Sequence, residues 1–188
     1  MAALTKKIDF IGFITVERSN PNGDPLNGNQ PRTDYSGYGE ISDVCLKRKL
    51  RNRLQDAGEK ILVQSNERTD DSCDSILSRV KGHSSVGPIL TRIQSDKGKD
   101  EKGDINKRSL RLDFEKEACK AWIDVRTFGQ VFAFKKQKKK DTEDGAESKE
   151  DTDAVSVGVR GPVTIHTAVS LDPVTITGVQ ITKSVNNE

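Results

Sequence analysis

Apolar side chains alternate with polar ones near the start of the chain. They occupy one face at Ile8, Phe10, Ile14 and Val16, and the opposite face at Ile11 and Phe13. This period of two residues predicts a β-strand over residues 8–16, buried on one side and partly on both. The turn-forming residues 19–25 end the strand, and a polar loop continues over residues 28–39.

A helix is predicted next, with Ser42 as its N-cap and Asp43 near the positive end of the helix dipole. Leucines follow one helical turn apart and form a single narrow apolar stripe, at Leu46, Leu50 and Leu54. The pattern predicts that this helix ends before Gly58.

Residues 59–111 show no sustained hydrophobic period. They are polar, charged and interspersed with glycine, so we interpret them as an insertion with little core of its own. A second helix is predicted up to about Ile123, because apolar residues recur at helical spacing at Phe114, Ala118, Ala121 and Trp122.

The last third of the chain contains two charge blocks followed by apolar alternation. A lysine-rich block and then an acidic block predict a disordered loop over residues 135–153. Apolar residues then alternate over 163–169 and again over 174–181, which predicts two strands. Because Asp172-Pro173 suits a turn between them, we expect a β-hairpin.

The predicted order of elements is strand, helix, polar insertion, helix, loop, strand and strand. This order favours an α+β fold with one layer of sheet and one of helices, of the ferredoxin-like kind and decorated by insertions. We divide the chain into residues 1–58, the insertion 59–111, and a continuation of the first part over 112–188.

Composition narrows the classes of function. The 31 basic residues nearly balance the 29 acidic ones, for a net charge of +2, so nucleic-acid binding has to come from local clusters of charge. The three cysteines and two histidines lack the spacing of a metal site, which predicts reduced thiols and no metal. No apolar run is long enough to span a membrane and no signal-peptide pattern opens the chain, which favours a soluble, cytoplasmic protein.

The predicted first helix is the most informative element. Lys47 and Arg51 lie one turn apart beside the leucine stripe, with Arg48 next to them, and such a ridge can follow successive phosphates. The glycine- and asparagine-rich loop before it allows close approach of a phosphate chain. A solvated helix face and an ordinary turn at Asn22-Gly23 are the alternatives.

Two further arginines are candidates for phosphate contacts. Arg160 lies between Gly158 and Gly161, where small residues let the backbone run close to a ligand. Arg126 is as consistent with a structural ion pair as with a ligand contact. The lysine cluster at residues 135–140 is interpreted as a solubilising loop.

The sequence offers few candidates for catalysis. His83 and His166 have no neighbouring residue that would form a nucleophile–base pair. Asp24 and Asp34 lie in the loop before the first helix, where an acid would assist in-line cleavage of a bound phosphate chain, but such side chains commonly bond their own backbone. No Walker-type phosphate loop or dinucleotide fingerprint is present, so we expect no enzyme activity.

Taken together, these segments resemble the backbone subunit of type I-C CRISPR Cascade complexes, a member of the repeat-associated mysterious protein (RAMP) superfamily. The resemblance rests on five stretches in the family's order: SNPNGDP at 19–25, RTD at 32–34, ISDVCLKRKLR at 41–51, DVRTFGQVF at 124–132, and GVRGP at 158–162 running into QITKSVN at 180–186.

The resemblance implies a right-hand shape, with an RNA-recognition-like palm, a fingers insertion and a thumb. Several copies would stack along a CRISPR guide RNA, and base pairing rather than protein would read the target DNA. Other Cascade subunits are implied partners, and no cofactor is implied. The implied RNA-binding residues are Asn20, Asn22, Arg32, Lys47, Arg48, Arg51, Arg126, Arg160 and Lys183.

Members of this family continue past the motif at residues 181–184 into the thumb, so we expect this chain, which stops at Glu188, to lack that region. Two alternatives stay open. One is a RAMP-superfamily RNA endonuclease that places Asp24, Asp34 or a histidine at the scissile phosphate. The other is a general single-strand RNA-binding domain, for which an aromatic content of 5% offers few stacking platforms.

Overall fold

In the described residues, three short strands are followed by five α-helices and then by three further strands. The computed structural model describes residues 5–95, 101–134 and 155–179. The helices are α1 (Asp43–Asp56), α2 (Ile76–Gly82), α3 (Val86–Ser95), α4 (Glu101–Ala121) and α5 (Ile123–Phe128). The strands are β1 (Gly23–Asp24), β2 (Gln30–Pro31), β3 (Tyr38–Ile41), β4 (Gly129–Phe134), β5 (Val155–Arg160) and β6 (Ala168–Pro173). This mixture confirms the α+β class, while the ferredoxin-like arrangement stays a prediction.

The strands of the described residues pair as three antiparallel two-stranded sheets: β1 with β2, β3 with β6, and β4 with β5. The β4–β5 ladder is regular from Gly129 opposite Arg160 to Phe134 opposite Val155. The β3–β6 ladder shifts register between Tyr38 and Glu40.

The chain separates into two compact units. The first comprises residues 1–46 and 166–188, and it contains the β1–β2 and β3–β6 pairs. The second comprises residues 47–165 and contains α2 to α5, the β4–β5 pair, and α1 from Lys47 onward. The predicted division at residues 58 and 111 stays a prediction.

The second unit has a well-packed hydrophobic core between its helices and the β4–β5 ladder. Phe132 and Phe134 alternate inward along β4, as the period of a strand requires. The Phe132 ring meets the Phe114 ring edge-on, with centroids 5.0 Å apart. The buried residues of this core are Leu62, Val80, Val86, Leu90, Phe114, Ala118, Trp122, Val125, Phe132, Phe134, Val157 and Val159. The helix predicted up to about Ile123 is confirmed as α4, which extends from Glu101 to Ala121, while Ile123 begins the separate helix α5.

Residues 59–111 contribute to this core, so the expectation of an insertion with little core was wrong. Leu62, Val80, Val86 and Leu90 are completely buried. Each short helix contributes only one or two of these residues, so no sustained period was visible in the sequence. The Ser75 and Ser78 side chains form a reciprocal capping box that begins α2 in this polar stretch.

The strand predicted over residues 8–16 was also wrong. None of these residues belongs to a strand, and their apolar side chains are exposed, from 43% at Val16 to 85% at Phe13. A strand is stabilised by hydrogen bonds to a neighbouring strand. Within the described residues this segment has no such neighbour, so alternation alone does not form a strand here.

The predicted C-terminal hairpin was wrong as well. Asp172 and Pro173, expected to form its turn, end strand β6, whose partner is β3 far back in the chain. Beyond β6, the Val174 N–H donates to the Gly37 carbonyl, and residues 174–179 form no strand. The loop predicted over residues 135–153 lies outside the described residues.

Candidate nucleic-acid interface

The asparagine- and glycine-rich loop of the first unit folds around the β1–β2 pair. The Asn20 side-chain amide donates to the Asn29 carbonyl at 2.7 Å, and the Arg32 N–H donates to the Asn22 carbonyl at 3.0 Å. Gly28 makes the turn between the strands, with a left-handed φ of 57°. The structure therefore brings together three predicted site residues, of which Asn20 and Arg32 are exposed and Asn22 is half-buried.

Asn22 organises the start of α1. Its Oδ1 accepts hydrogen bonds from the backbone N–H and the hydroxyl of Ser42, each at 2.9 Å. The Ser42 hydroxyl in turn accepts from the Cys45 N–H at 3.2 Å, which satisfies one of the free donors of the first helical turn. The predicted cap is confirmed, and the Asn22 side chain has a structural task in the loop.

Both aspartates of this loop bond their own backbone, as expected for loop-capping residues. Asp24 Oδ1 accepts from the Leu26 N–H at 3.1 Å and caps the short 3-10 turn Pro25–Asn27. Asp34 Oδ1 accepts from the N–H groups of Ser36 and Tyr38, at 2.8 and 2.9 Å.

The basic residues of α1 differ in their surroundings within the second unit. Lys49 and Arg53 are exposed, while Lys47, Arg48 and Arg51 are half-buried. Arg48 Nη1 donates to the Val63 carbonyl at 3.3 Å. The ridge predicted from the sequence is thus formed partly by side chains that also contact their own protein.

Asp124 is the buried partner of Arg51, and the sequence analysis did not identify it. The carboxylate is 1% exposed and accepts from Leu62 N–H at 2.8 Å, Val63 N–H at 3.1 Å and Arg51 Nε at 3.2 Å. The Arg51 guanidinium also lies 5.3 Å from the centre of the Phe128 ring. The available signal was a single acid within the apolar run from Trp122 to Val125.

Arg79 binds the same irregular segment, residues 61–64, from another direction. Its Nη1 donates to the Leu62 carbonyl at 2.8 Å, and its guanidinium forms an ion pair with Asp71. Hydrogen bonding to Arg79 holds the pKa of Asp71 below its ordinary value, although burial opposes this shift. A buried segment outside helix and sheet needs partners for its backbone, and here charged side chains supply them.

The remaining predicted contacts lie in or after the β4–β5 region. The side chains of Arg126 and Arg160 are exposed, and Lys183 lies outside the described residues. Gly161 is explained by packing: a Cβ there would lie 2.4 Å from the Thr127 oxygen and the Gly129 nitrogen. The close approach that this glycine permits is therefore to the protein's own backbone.

In the described part of the chain, no three His, Cys, Asp or Glu side chains come together as ligands of a metal would. The three cysteines are free thiols. Among the described residues, no helix combines the length and the apolar character needed to cross a membrane.

These observations define a class: an α+β protein that carries basic residues on a capped helix and beside a two-stranded ladder. Residues 6–188 match the family model described as "CRISPR-associated protein Cas7". The chain is also 31% identical, over 136 residues, to a CRISPR-associated protein Cas7 of Haloferax volcanii. That match covers 72% of this chain and 35% of the relative, so the chain spans about a third of the relative's length.

The chain therefore belongs to the Cas7 family of CRISPR-associated proteins. This membership agrees with the resemblance to a CRISPR backbone subunit that the sequence motifs indicated.

Proposed function

We propose that this chain is a non-catalytic backbone subunit that binds the CRISPR guide RNA of a type I-C Cascade complex. The match to the family model over residues 6–188 is the observation that carries the proposal. In RNA-guided recognition, base pairing reads the target sequence, and the protein needs only to hold the guide by its backbone. Several copies stack along one guide in the cytoplasm, together with other Cascade subunits, and the target DNA joins through the guide duplex.

Phosphate contacts are the chemistry that the described side chains offer. Arg126 and Arg160 are exposed and present guanidinium groups, which match phosphate oxygens in pairs. Lys47, Arg48, Asn20, Asn22 and Arg32 extend the proposed set along α1 and its preceding loop, and Lys183 completes it. Arg51 is 12% exposed and bound to Asp124, so its contribution is to shape the surface as well as to add charge.

The surroundings of the two loop aspartates favour a scaffold over an endonuclease. A catalytic carboxylate has to reach a reacting hydroxyl or water. The Asp24 and Asp34 side chains accept backbone N–H groups of their own loops instead, which supports a structural task for both.

The proposal is tested by native mass spectrometry of the chain co-expressed with repeat–spacer RNAs of two different lengths. We expect several copies on one intact RNA, with more copies on the longer RNA, because each copy holds a fixed length of backbone. A single copy on both RNAs would contradict stacking. Shortened RNA that is restored to full length by Asp34→Asn would instead support the endonuclease, and Asn keeps the oxygen that the loop needs.

A further inference from the structure

A pocket of about 240 Å³ opens in the second unit where the segment after α1 meets α4 and α5. Its lining comes from residues 58–60 after α1, residues 119–121 at the end of α4, and Ile123 and Arg126 of α5. Pockets for small molecules are mostly apolar and enclose their ligand. This one is open to solvent and presents charged side chains, which fits a charged group carried on a longer chain.

Three cations line the pocket against one carboxylate, Glu59: Lys60 from the segment after α1, Lys120 from α4 and Arg126 from α5. Lys120 has an exposed ion pair with Glu117 at 2.7 Å. Within the described residues, the side chains of Lys60 and Arg126 form no ion pair or hydrogen bond. Cations without protein partners keep all their donors for a ligand.

Backbone hydrogen bonds fix the turn after α1 that forms one wall of the pocket. Glu59 N–H donates to the Leu54 carbonyl at 3.0 Å and Gly58 N–H to the Gln55 carbonyl at 2.9 Å, which caps the end of α1. The Lys60 carbonyl accepts from the Ile123 N–H at 3.0 Å. Three cations against one carboxylate give the side chains of the pocket a net positive charge, which favours an anion.

We propose that this pocket is a phosphate subsite for single-stranded RNA, contacted by Lys60, Lys120 and Arg126. The inference rests on the proposed function and deepens it, because it adds Lys60 and Lys120 and places Arg126 with them. Phosphate contacts fix the position of a protein along a nucleic acid and carry no sequence information.

The first test measures equilibrium binding of a fluorescently labelled repeat–spacer RNA to the 188-residue chain. We expect Lys60→Gln to weaken binding roughly three- to tenfold and to reduce the salt slope, and Glu59→Gln to strengthen binding. Lys81→Gln is the charge-matched control, since Lys81 is exposed on α2 and does not line the pocket. Equal losses for Lys60→Gln and Lys81→Gln would overturn the subsite, since net charge alone would then explain them.

The second test uses Cys119, which lines the pocket, as a reporter of occupancy. In a variant with Cys45→Ser and Cys73→Ser, we expect RNA to slow the reaction of Cys119 with a maleimide several-fold. The reaction is run at mildly alkaline pH, because burial raises the pKa of this thiol.

The outcomes separate the two proposals. If RNA binds and Cys119 reacts at an unchanged rate, the subsite is overturned and the proposed function stands. If the chain binds no RNA at all, the proposed function fails and the subsite fails with it. Protection that is lost in Lys60→Gln supports both.

Discussion

At the scale of single residues, buried charge holds the irregular segment 61–64 in place. Asp124 accepts two backbone N–H groups of this segment and the Arg51 side chain. A buried carboxylate is stabilising only when its oxygens are fully bonded, since desolvation of the charge is costly. The same geometry keeps the Arg51 guanidinium against α5, on which Arg126 lies.

Asp124→Ala should lower the free energy of unfolding by about 3–5 kcal/mol, because it leaves a nearly buried arginine and two N–H groups without their acceptor. Urea unfolding followed by circular dichroism at pH 7 measures this change. Asp113→Ala, on the exposed face of α4, is the control and should change stability by less than about 0.5 kcal/mol. Similar losses of unfolding free energy in both variants would show that Asp124 has no special structural role.

At the scale of elements, the first helix was predictable at both ends and the sheets were not. Ser42 and Gly58 form hydrogen bonds with backbone groups only a few residues away. Their residue types alone therefore indicate the start and the end of α1. By contrast, β3 pairs with β6 across more than a hundred residues, and Arg51 pairs with Asp124 across 73. The alternation of apolar residues over 8–16 or 163–181 shows a local period of two residues, but it does not identify the strand that would pair with the segment.

The same limit applies to the candidate site. Arg126, Arg160 and the α1 cations were identifiable from residue type and position alone. Lys60 and Lys120 were not, because they become neighbours of Arg126 only when the segment after α1 and the end of α4 meet at α5. Gly158 and Gly161 looked alike in the sequence, yet a Cβ at Gly158 would meet open space and one at Gly161 would collide with backbone.

Gly58→Ala should destabilise the protein by about 1 kcal/mol, because Gly58 has a left-handed φ of 86° at the end of α1. Gly82→Ala is the matched control: it is a helical position with open space at the Cβ and no positive φ, so alanine should be neutral or stabilising. Thermal unfolding of the two variants beside the parent chain checks the opposite signs. A stabilised Gly58→Ala would rule out the left-handed cap.

At the scale of the whole molecule, the net charge is small, so the positive charge available to a ligand depends on where the cations lie. A net charge of +2 attracts a polyanion only weakly, so affinity has to come from a few exposed cations at particular positions. In the second unit these include Arg126, Arg160 and the α1 residues Lys49 and Arg53. Under the proposed function, these cations bind the guide backbone, and base pairing by the guide reads the target.

Arg160→Gln should therefore weaken binding of two unrelated guide RNAs by the same factor. Each lost phosphate contact on a single strand should also reduce the slope of log K against log salt by about 0.7. Arg111→Gln, which removes an exposed arginine from α4 outside the predicted set, is the charge-matched control and should leave the slope unchanged. Fluorescence anisotropy over a range of salt concentrations measures both quantities. A loss confined to one guide would mean that Arg160 contacts bases, and a backbone scaffold would then no longer account for its position at the end of β5.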